Sequence, residues 1–447
     1  MAALNLTKGN PTKLLLRFIA PMLVSTMFQQ FYNIADTMVV GRYVGPDALA
    51  AVGTTGNVTN LLLMLMGGAT SGVSVVVAQI YGSGNTAKMR QSVATSFILV
   101  SVLALFLGGL GIALTIPVLR LINVPENIMA DAALYMRIIL AGAIASGLYN
   151  MSSSLLRAMG DSVTPLIFLV VSGVLNVVLN IVFVAVCGME VAGVAIATII
   201  ATAISAVACM IYGWHKMPML RFGLKDMKMD LKLTMMIAKI GVPSSLMSST
   251  VNIGMIMIQA LVNSYGSTVM AAYTLGLKME SMFNSVSFSL SGALQIFAAQ
   301  NVGAGDYKRV KEGFRAGLKL ALCYVAVAGP ALLILGKWIL GLFTPDDPEV
   351  VRIAYQYCSM IAVSYPFVVI LITTRNTMHG AGDAMIPFVM GMCELISRFI
   401  CSYFLSIPLG YIGVFLGTPL AWVTACIMGV IRYRSGKWMT KRLKIDS

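Results

Sequence analysis

Of the 17 Asp and Glu in this 447-residue chain, three stand well inside long apolar runs: Asp36, Glu280 and Glu394. A charged group in such a run is costly to hold and by default marks a functional site. Asp36 lies in FQQFYNIADTMVVGRYVG, about nine residues before the Gly45–Pro46 turn, or roughly 13 Å of helix. Gln29, Asn33 and Asp36 recur at i, i+4 and i+7 and form one polar face, and Tyr32 offers a hydroxyl one turn away. Further on, LNVVLN places Asn176 and Asn180 on one helix face, with Thr198 at a similar depth on the next run. One carboxylate with amide and hydroxyl oxygens suits a small hard cation, or a carboxyl group whose proton comes and goes. The expected coupling set is therefore Asp36, Tyr32, Asn176, Asn180 and Thr198, with Na⁺ held at Asp36, Asn176 and Thr198 if the ion is a metal. The bland alternative for each Asn or Thr is a hydrogen bond that glues two helices together.

A second set lies in the later half. Lys278 and Glu280 share one run, and Glu394 and Arg398 sit i, i+4 on another. By depth these four can meet, either as a structural salt bridge or as a binding site. With Gln29, Asn33, Met257 and Gln259 they form the candidate substrate contacts. Met255, Met257, Met270, Met279 and Met282 add flexible, polarisable surface of the kind that accepts varied apolar ligands. The seven cysteines show no metal-ligand spacing, and the two histidines, His215 and His379, stand near run ends. No nucleophile–base pair, HExxH or Asp-rich metal motif appears, so an enzyme is not expected and no cofactor is implied.

The elements that must position these residues follow from composition. The chain is 58% hydrophobic and 11% charged, with mean hydropathy +0.87. Soluble domains are about 45–50% apolar and about 25% charged. The expectation is an all-α membrane protein with twelve transmembrane helices. The runs lie near 14–44, 48–80, 90–118, 128–155, 164–187, 191–214, 234–263, 269–300, 310–340, 350–376, 385–407 and 411–434. The net charge of +14 does not point to nucleic acid, because of where the charge lies. Most Lys and Arg fall at the termini and even-numbered loops, in clusters such as Lys88/Arg90, Arg221/Lys225/Lys228/Lys232 and Lys308/Arg309/Lys311. By the positive-inside rule both termini are cytoplasmic.

The halves are copies. QIYGSGNTAKMR (79–90) returns as QNVGAGDYKRVK (300–311), GDSVTP (160–165) as GDAMIP (382–387), and Pro21 as Pro243. The offset stays between 220 and 222, the mark of a duplicated six-helix unit. The expected lobes are residues 1–214 and 234–447, joined by a loop over 215–233. An even helix count per copy makes the repeats parallel, a plan found in transporters.

FYNIADTMVVGRYVGPDALAAVG, the paired turns QIYGSGN and QNVGAGD, the GDxxxP turns and the six-plus-six plan resemble the MATE (multidrug and toxic compound extrusion) family, over essentially the full chain and closest to its prokaryotic, DinF-like branch. The resemblance implies two six-helix lobes around a cleft in the bacterial inner membrane. It implies export of amphipathic, cationic organic compounds by antiport with H⁺ or Na⁺, by a monomer in the lipid bilayer. Positions matching Asp36, Asn176, Asn180 and Thr198 form the coupling site in that branch. There the fifth span usually carries a second acid in an NxxLD pattern; this chain reads NVVLN, so Asn180 replaces it. The position matching Asp36 in the second copy is Met257 or Ile258, so coupling is not mirrored there. A lipid-linked oligosaccharide flippase is the alternative. It should show several unpaired deep Arg or Lys, whereas Lys278 and Arg398 each stand beside a Glu.

Overall fold

The computed structural model describes residues 4–221, 223, 227–345 and 347–443, so Lys225 of the basic cluster lies outside the described residues. The described chain is helical throughout. The helices are α1 (Pro11–Tyr43), α2 (Pro46–Ser83), α3 (Thr86–Leu121), α4 (Glu126–Ala141), α5 (Ala143–Ala158), α6 (Val163–Asn180) and α7 (Glu190–Lys216). After a connecting segment come α8 (Leu231–Asn263), α9 (Ser267–Gly303), α10 (Tyr307–Phe343), α11 (Pro348–Gly380), α12 (Met385–Leu409) and α13 (Tyr411–Arg434). Among the described residues ten helices are long and apolar enough to cross a membrane. The count is eleven if α4 and α5, bent by 45°, form one span. The expected twelfth, near 269–300, is helical as α9 but is not among them. Its Ser281, Ser285, Ser287, Ser289 and Ser291, with Lys278 and Glu280, lower its apolarity.

The backbone carries the duplication. Left-handed glycines end or start helices in matched pairs: Gly45 and Gly266, Gly84 and Gly305, Gly160 and Gly382, Gly188 and Gly410. Each pair has φ between +59° and +114°, a region closed to most side chains. The matched turns are also capped alike. Asn85 Oδ1 accepts from the Lys88 N–H (3.0 Å), and Asp306 Oδ1 from the Arg309 N–H (2.8 Å).

Two compact units divide the chain. The first is Ala20–Ser245 with the N-terminal residues up to Asn5, and the second is Leu6–Ile19 with Leu246–Ser447. The sequence places the divide in the 215–233 loop; the units part inside α8 instead. The reason is a small-residue seam. A Cβ on Gly72 of α2 would stand 2.5 Å from the Ile237 carbonyl, and one on Gly68 would stand 2.6 Å from the Gly241 carbonyl. The Ser245 hydroxyl donates to the Leu65 carbonyl at 3.1 Å. Gly68 and Gly72 are four apart, so α2 presents a GxxxG face that lets two backbones touch. In the second unit the buried Leu6 ties the start of the chain to the α9–α10 turn. Its N–H donates to Gln300 Oε1 (3.3 Å) and its carbonyl accepts from Asn301 Nδ2 (3.3 Å) and the Arg309 guanidinium (3.2 Å).

Gly72→Ile, which forces the α2–α8 seam apart, is expected to destabilise the purified protein by about 1–3 kcal/mol. Gly109→Ile on α3 should leave the melting temperature nearly unchanged, because nothing lies within 4 Å of its Cβ position. Equal melting temperatures for the two variants would remove the seam as a stabilising contact.

Candidate functional site

The first unit builds its polar site on α1, α6 and α7. Helices α1 and α6 approach where α6 has no side chain. A Cβ at Gly173 would stand 2.7 Å from Phe28 and 3.4 Å from Tyr32. Two turns further along, that approach sets Asn180 against Asp36. Asn180 Nδ2 donates to Asp36 Oδ1 at 2.6 Å and to Asn176 Oδ1 at 2.9 Å. Asn176 Nδ2 in turn donates to Thr198 Oγ1 at 3.0 Å, and the Thr198 hydroxyl donates to the Val194 carbonyl at 3.0 Å. Asp36 is half-buried, whereas Asn176 and Asn180 are buried.

The direction of these bonds follows from the carboxylate. An ionised Asp only accepts, so the Asn180 amide must turn its NH₂ toward it. That leaves Asn180 Oδ1, an acceptor, buried and without a hydrogen-bond partner among the described residues. A buried acceptor beside a carboxylate is a place for a proton-bearing group or a cation. Asn180 is also the last α-helical residue of α6. The chain then passes into a π-helical turn, Ile181–Val186, where the Cys187 N–H reaches back five residues to the Val182 carbonyl (3.0 Å). Such turns recur at functional sites because they break the even helical ladder.

Tyr32 joins the site from α1, within electrostatic reach of Asp36 and hydrogen-bonded to Thr198. Tyr135 of α4 packs beside the site, against the cluster of Val40, Ala48, Val184, Val191 and Val194, within electrostatic reach of Asp36. Sequence reading missed it, since a lone Tyr in an apolar run carries no spacing signal. Gln29 and Asn33 are exposed on α1.

The second unit has a cluster of its own. Glu280 of α9 accepts a hydrogen bond from the Tyr357 hydroxyl and one from Asn284 Nδ2 (3.2 Å), and Asn284 Oδ1 accepts from the Tyr365 hydroxyl (2.9 Å). Glu394 pairs with Arg398 at 2.7 Å and with Arg375 of α11 at 3.8 Å. All four charged groups are buried around a cavity of about 60 Å³, room for a few waters rather than a drug. Arg375 takes the place expected of Lys278, which is exposed and does not line the cavity. Its position at the end of the 350–376 run hides it among loop cations. Nε of Arg375 and of Arg398 has no partner among the described residues. Met257 and Gln259 of α8 are half-buried outside that cavity, and Gln259 donates to Asn263 along its own helix (2.8 Å).

A model of the MatE family matches residues 21–182 and again 243–422. The chain belongs to the MatE family. As a member it is a multi-span membrane transporter and not an enzyme. The two matched stretches begin 222 residues apart, in register with the internal repeat. A "Probable multidrug resistance protein YoeA" of Bacillus subtilis is 29% identical over 438 residues, covering 95% of this chain and 94% of the relative. An "FAD transporter" of Shewanella oneidensis is 26% identical over 436 residues, covering 94% and 93%. A crystal structure of MATE in the bent conformation shares the fold with a TM-score of 0.91 at 21% identity, covering 97% of this chain and 98% of that one.

Removing the Asn180 donor by Asn180→Leu should destabilise the protein by about 1.5–3 kcal/mol, the range of a hydrogen bond to a charged group. In an Asp36→Asn background the same change should cost clearly less, because the charged acceptor is gone. Thermal unfolding of the four-member cycle measures the coupling. Full additivity would mean that Asn180 and Asp36 do not interact.

Proposed function

We propose that this chain is a secondary active multidrug efflux transporter of the bacterial inner membrane. It exports amphipathic organic cations as a monomer, in exchange for H⁺ or Na⁺, with both termini in the cytoplasm. The observation that carries the reading is Asp36 joined through Asn180 to Asn176 and Thr198, with an unpartnered amide oxygen beside the carboxylate. A proton on Asp36 removes the charge that orients the Asn180 amide. A Na⁺ draws instead on Asp36, the free Asn180 oxygen, Asn176 Oδ1 and the Thr198 hydroxyl, a hard-oxygen set suited to that ion. Either event neutralises Asp36 and changes what α1 and α6 hold between them. Ion and substrate then bias one two-state equilibrium in opposite senses, which is antiport by alternating access. The names of relatives such as the multidrug resistance protein YoeA support drugs as the substrate class.

The relative named FAD transporter, 26% identical over 94% of this chain, favours a second reading of the substrate, an anionic aromatic compound. Energised vesicles distinguish the two. Ethidium efflux under an imposed pH gradient, or under an imposed Na⁺ gradient, should occur with wild type and be lost in Asp36→Asn at equal expression. Unimpaired efflux by Asp36→Asn would overturn the coupling role. Flavin nucleotide transport without ethidium transport would establish the second reading.

A further inference from the structure

The first unit contains a cavity far from Asp36 in sequence that the transport reading does not use. It measures about 260 Å³ and is walled by Val93 and Phe97 of α3, Leu155 of α5, Ile211 and Trp214 of α7, and Leu220 beyond α7. That is below the roughly 300–1,000 Å³ of sites that enclose drug-sized ligands, so a slimmer apolar occupant fits better.

The duplication shows what occupies the same register in the second unit. By the repeat offset, 221 at Val93 and 220 along α7, Val93 corresponds to Phe314, and Gly213, which also lines the cavity, corresponds to Tyr433. There Phe314 stacks on Tyr433 with ring centroids 4.1 Å apart, and Tyr433 stacks on the buried Trp438 at 5.5 Å. One unit fills this place with its own aromatic rings. The other carries smaller residues, Val93 and Gly213, at those two positions.

Two further features say what enters. Ile211 and Trp214 line the cavity and are also exposed, by 54% and 42%, so it opens on the outward face of α7, a helix apolar enough to span a membrane. Trp at the end of a span suits the interface between hydrocarbon and head groups. Beside that opening the exposed Arg221 is pinned in place. Its Nε donates to the Trp214 carbonyl at 2.9 Å and its Nη2 to the His215 carbonyl at 3.1 Å. Lys216 follows at the end of α7. Basic groups at the end of a span attract anionic phospholipid head groups.

We propose that this cavity is a lipid site, in which one acyl chain of an anionic phospholipid enters between α3, α5 and α7 while its phosphate rests on Arg221. The site is specific to the first unit, because the stack of Phe314, Tyr433 and Trp438 closes its counterpart.

Native mass spectrometry of the purified full chain, titrated with dioleoylphosphatidylglycerol or dioleoylphosphatidylcholine, tests this. Wild type should hold one phosphatidylglycerol about tenfold more tightly than phosphatidylcholine. The V93F/G213Y variant, which copies the second unit, should lose that lipid, and Arg221→Gln should bind the two lipids alike. Should V93F/G213Y fold poorly, quenching of Trp214 fluorescence by phosphatidylglycerol with brominated acyl chains gives the same answer in wild type, measured against Trp214→Phe. Unchanged phosphatidylglycerol binding by a folded V93F/G213Y would overturn the proposal. So would the absence of quenching assignable to Trp214, or ethidium displacing the brominated lipid from Trp214, which would make the cavity a drug site.

Discussion

A carboxylate inside an apolar helix has to be met by donors from another helix, and the first unit depends on that constraint being satisfied at Asp36. Asn180 supplies the donor at 2.6 Å, and α6 comes close enough to do so because Gly173 leaves room for Phe28 and Tyr32 of α1. The bond is directional. A carboxylate only accepts, so the Asn180 oxygen turns away and stays unpartnered, and the NH₂ is shared with Asn176. Neutralising the carboxylate removes the reason for that arrangement. The amide is then free to turn, and its effect passes through Asn176 to Thr198. In the proposed antiport, a charge change at this one side chain alters what holds three helices together.

The same reasoning separates the two copies of the duplicated unit. Their turns are alike, since left-handed glycines and turn caps recur in register. Their buried side chains are not. Asp161 caps α6 through the Val163 and Thr164 N–H groups and the Thr164 hydroxyl. Its counterpart Asp383 instead pairs with Arg432 at 2.7 Å. At its polar site the first copy sets Asp36 among neutral partners. The second surrounds Glu280 and Glu394 with two guanidiniums and two tyrosine hydroxyls, so its charges compensate one another.

Much of this was legible in the sequence because it rests on local pattern. Apolar runs and Gly-rich turns gave the helices, the repeat gave the duplication, and i, i+4 spacing placed Asn176 and Asn180 on one face with Thr198 at matching depth. Other features are not local. The parting of the units inside α8 depends on Gly68 and Gly72 meeting Ile237 and Gly241, a contact between segments with no shared pattern. Arg375 and Tyr135 reach their clusters through helix rotation, which run length does not reveal. Among the expected spans α9 falls short in apolarity, because Glu280, Ser285, Ser287, Ser289 and Ser291 are buried in the interior of the second unit.

The most direct test of the central claim is ethidium binding to purified protein as pH and Na⁺ concentration are varied separately. If Asp36 links ion and substrate, wild-type affinity must fall as one of the two ions rises, since linkage is reciprocal. The Asp36→Asn protein should bind ethidium with an affinity indifferent to both. Wild-type affinity independent of both ions, or an Asp36→Asn protein with the wild-type ion dependence, would contradict the account.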